Sequence, residues 1–462
     1  MELSRRPTAG ATRSDDPYLP THGNGGYRVE HYDLEIDYRV AANRLTGRAV
    51  ITAVAAAPLS RFTLDLSTFR VPRVRVDGRA AKFTRAGGKL YVTPSRPVAG
   101  RFTVEVRYLG NPAPVPSPWG GLGWEELADG ALVASQPTGA PSWFPCNDHP
   151  ADKATYRIAV TTEAPYTVAA TGVLTARRRA AGTRTWVFER PEPTATYLVS
   201  VQIGRYDEIG IGTGQVALLP TRLRKNAVRD LGRHPAIMTT LEGCFGPYPF
   251  GNYQLVVTDD ALDDPIEAQG MSIFGSNHVD GRRTHERLVV HELAHQWFGN
   301  SLTIADWRHI WLNEGFATYA EWLWSEASGG RSAAAHARQW HAHVAALPAD
   351  LVLADPGVAR MFDERVYKRG ALVLHALRRR IGDDRFFPLL RDWTARYRHA
   401  IVTTPQFVAL AAEHAGTDLS AFFTAWLRLP KESFDRLCAF KSRRAFATWD
   451  DVVDALLPEG DR

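Results

Sequence analysis

The residues best equipped for chemistry lie in the second half of the 462-residue chain, at His291-Glu292-Leu293-Ala294-His295. Helix positions four apart share one face, so both imidazoles can reach one metal ion while Glu292 points toward the same place. Two histidines at this spacing, with a glutamate after the first, suit a zinc site with a carboxylate as general base toward water. Leu288, Val289, Val290, Leu293 and Trp297 make the helix largely apolar. It is therefore expected to be buried, and buried His and Glu need partners. The plain alternative is a surface helix that happens to carry two histidines. Eighteen residues separate His295 from Glu314, which sits in Trp311-Leu312-Asn313-Glu314-Gly315-Phe316-Ala317. His291, His295 and Glu314 leave the fourth zinc position open, as catalytic sites do. A closed structural site would draw on cysteines, and Cys146, Cys244 and Cys438 lie far apart and away from the motif. One zinc ion per chain is expected.

These side chains need helices to aim them. Thr284 is expected to cap a helix through Gln296 that stops near Gly299-Asn300, and a second helix carries Glu314 to Glu326 and ends at Gly329-Gly330. Glu321 falls two turns beyond Glu314 on the same face. It is placed either to orient a zinc-bound imidazole or to sit solvated. Asn313 is expected to fix the local turn by bonding backbone groups. Trp297, Phe298, Trp307, Trp311, Trp322 and Trp324 read as core packing. Further helices are expected near Glu364–Arg380, Asp384–Tyr397, Pro405–His414, with Thr404 as cap, and Leu419–Leu427.

Upstream the period changes to two. Tyr32, Leu34, Ile36, Tyr38 and Val40 alternate with Asp33, Glu35, Asp37 and Arg39, the pattern of a half-buried strand. Similar runs recur up to Ile203, with Gly and Pro between them, and one more strand is expected at Gln254–Thr258. The expected organisation is a flexible segment over 1–26, an antiparallel β-rich domain over 27–205, a mainly helical catalytic domain over 206–430, and a short extension over 431–462. The class is α+β, multidomain.

Composition narrows the field. The chain is 45% hydrophobic and 23% charged, which excludes a disordered or collagen-like chain. No run reaches the length of a membrane-spanning helix, and the polar N-terminus does not read as a secretion signal. Net charge is +5, and seven of the 55 basic residues are lysine. The arginines scatter among acids with no aromatic-interleaved basic block, which argues against nucleic-acid binding. A cytoplasmic protein is the default expectation, and its oligomeric state stays open.

His291–Asn300 (HELAHQWFGN) with Trp311–Ala317 (WLNEGFA) resembles the M1 family of zinc aminopeptidases, which includes the leukotriene A4 hydrolases. Gln136 with Phe144-Pro145-Cys146-Asn147-Asp148, the stretch Phe245-Gly246-Pro247-Tyr248-Pro249-Phe250, and Val366-Tyr367-Lys368-Arg369-Gly370-Ala371 resemble other segments of that family. The likeness runs from about residue 27 to 430. It implies a thermolysin-like catalytic domain, with Glu292 and Tyr367 catalytic. It also implies peptide substrates with a free N-terminus, whose ammonium Glu267 binds with Gln136 as polar partner. Three departures stand out. The family's GxMEN motif is replaced by Asp264-Pro265-Ile266-Glu267-Ala268-Gln269-Gly270, keeping its Glu but not its first Gly or its Asn. His149 stands where Glu is usual. About thirty residues follow the catalytic region, so the form is expected to be short, without the family's large C-terminal helical domain. The alternatives are an endopeptidase or epoxide hydrolase on the same zinc site, or a noncatalytic peptide-binding relative.

Overall fold

The period-two segment folds into strands that pair in a large sheet of the computed structural model, which describes residues 6–348 and 350–428. Along its main path the strands run in the order Val173–Ala180, Thr183–Thr194, Ala154–Glu163, Tyr27–Arg39, Arg44–Asp65, Val98–Gly110, Arg70–Val76, Arg79–Ala80. Neighbours on this path are antiparallel except Ala154–Glu163 and Tyr27–Arg39, which are parallel. Tyr32, Leu34, Ile36 and Tyr38 all face the core, as their alternation requires. Gly47 lies beneath the Tyr108 ring, where an added Cβ would come within 2.1 Å of Cζ. Exposed arginines crowd the outer strands, Arg177, Arg178 and Arg179 at one end and Arg70, Arg73 and Arg75 near the other. Such charges oppose edge-to-edge pairing with another chain.

Two five-stranded sheets complete this unit. In one, Val201–Gly204 lies beside Gly130–Ala134, which leads into Gln136. The other contains Asp207–Gly212, Gln215–Leu219, Tyr253–Val257, Met271–Phe274 and Ile266–Ala268. Only the third of these five was expected. Its central strands are parallel and buried on both faces, so they read as short apolar runs without alternation. The stretch that ends the β-rich run at Ile203 begins as a 3-10 turn at Thr196–Leu198 before the strand Val201–Gly204.

The lead-in before Tyr27 is a correction. It was expected to be flexible, but its described part is built into the unit. Thr8–Ala9 pairs with Arg44–Asp65. Asn24 is buried and donates to Asp65 at 2.8 Å, while the Lys89 ammonium donates to Gly23 O at 2.9 Å. A buried Asp65–Lys89 ion pair thus anchors a segment whose Gly-rich composition alone suggested freedom. Helix α1 (Arg224–Asp230) also belongs here. By packing, this unit comprises the described residues to Gly232 together with Phe250–His285.

The second unit comprises Arg233–Pro249 and the described residues from Glu286 onward. It is helical: α2 (His234–Phe245), α3 (Glu286–Ala294), α4 (Trp311–Ala327), α5 (Ala333–Ala346), α6 (Glu364–Ile381), α7 (Asp383–Arg396), α8 (Thr404–Ala415) and α9 (Ser420–Phe423). Helices α2 and α5 were not expected. From Trp311 to Trp324 every residue of α4 is buried, which marks it as the central helix. The six aromatic residues expected in the core are all there. Helix α8 is capped by Thr403, not Thr404, through a capping box with Gln406, which places Thr404 and Pro405 in the first turn. Cys146 and Cys244 are unpaired. The expected extension over 431–462 lies outside the described residues. No helix among the described residues is long and apolar enough to cross a membrane.

Two buried histidines give this unit an acid sensitivity. Burial pulls His234, at the head of α2, and His375, in α6, down to about 4 from the ordinary 6.5. Between those values the unfolded chain takes up protons that the folded unit refuses. Stability is therefore whole above pH 6.5 and falls as pH drops toward 4. Each shift is worth up to about 3 kcal/mol. His375→Gln, which keeps a polar partner for Tyr319, should move the acid-unfolding midpoint to lower pH. Equal midpoints in circular-dichroism titrations would contradict this.

Candidate metal centre

Helix α3 starts at Glu286, whose carboxylate sits at the positive end of the helix dipole. It accepts from Trp324 Nε1 at 3.0 Å and pairs with Arg233 at 3.3 Å, tying α3 to α4 and α2. The regular helix ends at Ala294, two residues earlier than expected, yet His295 N–H still bonds His291 O. Both histidines thus keep one face. Beyond them the chain turns at Gly299, which holds φ at +113°.

Helices α4 and α6 cross at Gly315 and Gly370. A Cβ on Gly315 would come within 2.7 Å of Gly370 Cα, so neither site has room for a side chain. The close crossing sets Glu314 and Glu321 of α4 beside the start of α6, which carries Tyr367. The Tyr367 ring lies nearly parallel to His291, with centroids 6.0 Å apart.

His291, His295 and Glu314 converge. Each Nε2 lies 3.4 Å from Glu314 Oε2, and all three residues are buried. The outer ring nitrogens are engaged. His295 Nδ1 lies 3.0 Å from Phe298 O, and His291 Nδ1 lies 2.8 Å from Glu321 Oε1. A carbonyl only accepts, so His295 Nδ1 carries a proton, and a neutral imidazole would point its Nε2 lone pair at a carboxylate. That arrangement is repulsive unless a cation lies between them. The charges make the same demand. Burial pushes Glu314 up, but His295 and His291 more than offset it and hold it down at about 2. Burial pulls His291 down, and Glu314 and Glu321 outweigh it and lift it to about 9. The cluster calls for positive charge, which a divalent metal ion would supply in place of a proton. The residues therefore fit zinc.

Glu292 is buried beside these groups in sequence, at 4% exposure. Asn313 is a correction. It was expected to bond backbone groups through its side chain, but its amide makes no hydrogen bond among the described residues, although it is buried. The turn is instead held by main-chain bonds from Asn313 and Glu314 N–H to Ile310 O. The amide packs against Gly299, whose missing Cβ leaves the space.

In the first unit, Gln136 Nε2 donates to Glu267 Oε1 at 2.6 Å. Glu267 lies on Ile266–Ala268, which pairs with Met271–Phe274 through a tight turn at Gln269-Gly270. Gly270 has φ +75°, and a Cβ there would fall 2.3 Å from buried Arg190 Nη2. Both constraints require glycine. Sequence reasoning overlooked Arg287, which pairs with Glu321 at 3.5 Å, and the Phe298 carbonyl. The glycines inside α4 and α6 were the one readable sign of a close crossing.

Two histidines on one helix with a glutamate from the next, and one coordination position left open, define a catalytic type of zinc centre. Residues 231–426 match the peptidase family M1 domain, and residues 128–198 match the peptidase M1 N-terminal domain. Residues 417–462 also match a family of unknown function, DUF6084. An M1 zinc metallopeptidase from Deinococcus radiodurans is 30% identical, with a TM-score of 0.82 over 90% of this chain and 96% of that one. A mutant of it bound to Tyr-Ser-Ala substrate matches with a TM-score of 0.80 and 30% identity, over 90% of this chain and 98% of that one. Aminopeptidase M1-A of Oryza sativa subsp. japonica is 27% identical, over 64% of this chain and 37% of its own length. The first curated relatives are matched over 37% to 64% of their lengths. The chain belongs to peptidase family M1.

Proposed function

We propose that this protein is a zinc aminopeptidase that removes the N-terminal residue from peptides. The observation that carries this reading is the buried His291–His295–Glu314 cluster, with outer nitrogens engaged and inner ones facing a carboxylate. Bound zinc supplies Lewis acidity, lowering the pKa of water and polarising a carbonyl. Glu292 accepts the proton of the water that attacks the scissile carbon, and delivers it to the departing amine nitrogen as the C–N bond breaks. The Tyr367 hydroxyl donates to the oxygen that becomes negative at the tetrahedral stage. Glu267 receives the substrate ammonium, with Gln136 orienting the carboxylate. The curated relative named as an aminopeptidase and the Tyr-Ser-Ala complex of the Deinococcus protein support a peptide with a free N-terminus as substrate.

Metal analysis of purified protein should find one zinc per chain. His295→Ala should lose stoichiometric zinc, because two remaining ligands hold the ion poorly. Absence of zinc from the wild type after loading, or full retention by the variant, would refute the reading. Turnover of aminoacyl amides in preference to their N-acetylated forms, abolished by chelator, distinguishes aminopeptidase from endopeptidase.

A further inference from the structure

Gln136 and Glu267 meet at 2.6 Å although 131 residues separate them in the chain. The segments that carry them are joined at a second point. The loop that starts at Gln136 runs to Asp148, whose carboxylate is buried at 4% exposure. Its Oδ1 receives the Thr196 hydroxyl at 2.7 Å. Thr196, also buried, opens the 3-10 turn Thr196–Leu198. At the end of that turn the Leu198 carbonyl accepts from Gln269 N–H at 3.0 Å. The Gln269 side-chain amide donates to Pro193 O at 3.4 Å, which ties it to the same stretch a second time. Gln269 lies in the turn of the hairpin that carries Glu267. A continuous path of hydrogen bonds therefore runs from Asp148 to that hairpin. Asp148 is itself held in place. Its N–H donates to Asp65 Oδ2 at 3.1 Å, Asp65 pairs with Lys89 at 2.5 Å, and His22 Nδ1 lies 3.4 Å from Asp148 Oδ2. Burying a carboxylate is costly unless it is bonded, and the Thr196 hydroxyl that meets this need comes from 48 residues away.

We propose that Asp148 and Thr196 are positioning residues for amine recognition: their bond fixes the turn to which the Glu267 hairpin is tied, and so holds the Glu267 carboxylate where Gln136 bonds it. They act through Leu198 and Gln269 rather than on substrate. The inference rests on the reading of Glu267 as the group that receives the ammonium. It gives a function to the far end of the Gln136–Asp148 loop, for which the M1 resemblance supplies no role.

Hydrolysis of free aminoacyl amides beside their N-acetylated forms, measured on the full chain, tests it. Thr196→Val keeps the shape of the side chain and removes the hydroxyl. It should lower kcat/KM on free amines about 3- to 30-fold, with hardly any change on N-acetylated substrates. Thr196→Ser keeps the hydroxyl and should keep the wild-type preference. Thr196→Cys, whose thiol is a weak donor, should narrow the preference in the same direction; it serves as the second route should Thr196→Val fail to fold. In a Glu267→Ala background, Thr196→Val should lower kcat/KM on free amines no further, since its effect passes through that carboxylate. An unchanged preference in Thr196→Val, or in Thr196→Cys where only that variant folds, would overturn the proposal while leaving the amine reading intact. So would a Thr196→Ser loss as large as that of Thr196→Val. Equal losses on both substrate types, or a loss that persists in full without Glu267, would overturn it too, because those mark general packing. Should Glu267→Ala alone leave the preference intact, the amine reading falls and the proposal with it.

Discussion

Glu292→Gln is expected to keep its zinc and its fold while turnover falls by about 10²–10⁴-fold. The amide matches the carboxylate in shape and replaces it in a buried site of 4% exposure without leaving a cavity. It cannot accept a proton from water, so the attacking step loses its base. The loss should appear in kcat, with KM nearly unchanged, because the proton moves only on the way to the transition state. Zinc content and thermal midpoint, measured beside kinetics, separate this from damage to the site. A variant within a few-fold of wild-type turnover would remove Glu292 from the role of base.

Glu267→Ala should act on one kind of substrate. If the carboxylate pairs with the substrate ammonium, its removal leaves a desolvated cation without a partner. That costs about 2–5 kcal/mol, or roughly 30- to 4,000-fold in kcat/KM. N-acetylated substrates carry no ammonium, so their low activity should hardly change. The preference for free N-termini should therefore narrow sharply. Gln136 bonds the same carboxylate at 2.6 Å, so Gln136→Ala should shift the preference in the same direction by less. Equal losses on both substrate types would show that Glu267 supports the fold rather than the amine.

The two glutamates differ in how far the local sequence marks them. Glu292 stands out from the sequence alone, because its relation to His291 and His295 is set within one turn of helix. The carboxylate of Glu267 is matched to a motif that has lost two of its residues. What supports its position lies far off in sequence: Gln136, 131 residues away, and Arg190 packed against Gly270. The strands divide in the same way. The alternating strands from Tyr32 to Tyr108 are legible because one face is wet and the other dry. The parallel strands around Tyr253–Val257 are not, because burial on both faces erases the period.

By itself, the sequence marked His291, Glu292 and His295 as a candidate metal-binding face and set the two fold types, since these follow from periods of 3.6 and 2 along a local stretch of chain. Tertiary structure decided everything that depends on which distant segments pack together. It engaged Glu321 with His291 across 30 residues and left the Asn313 amide without the backbone bonds expected of it. It brought α4 and α6 into backbone contact at Gly315 and Gly370, and it set Lys368 over Trp340. Spacing along a helix fixes direction, but a partner in space is chosen by close packing of the whole unit, and no local period encodes that.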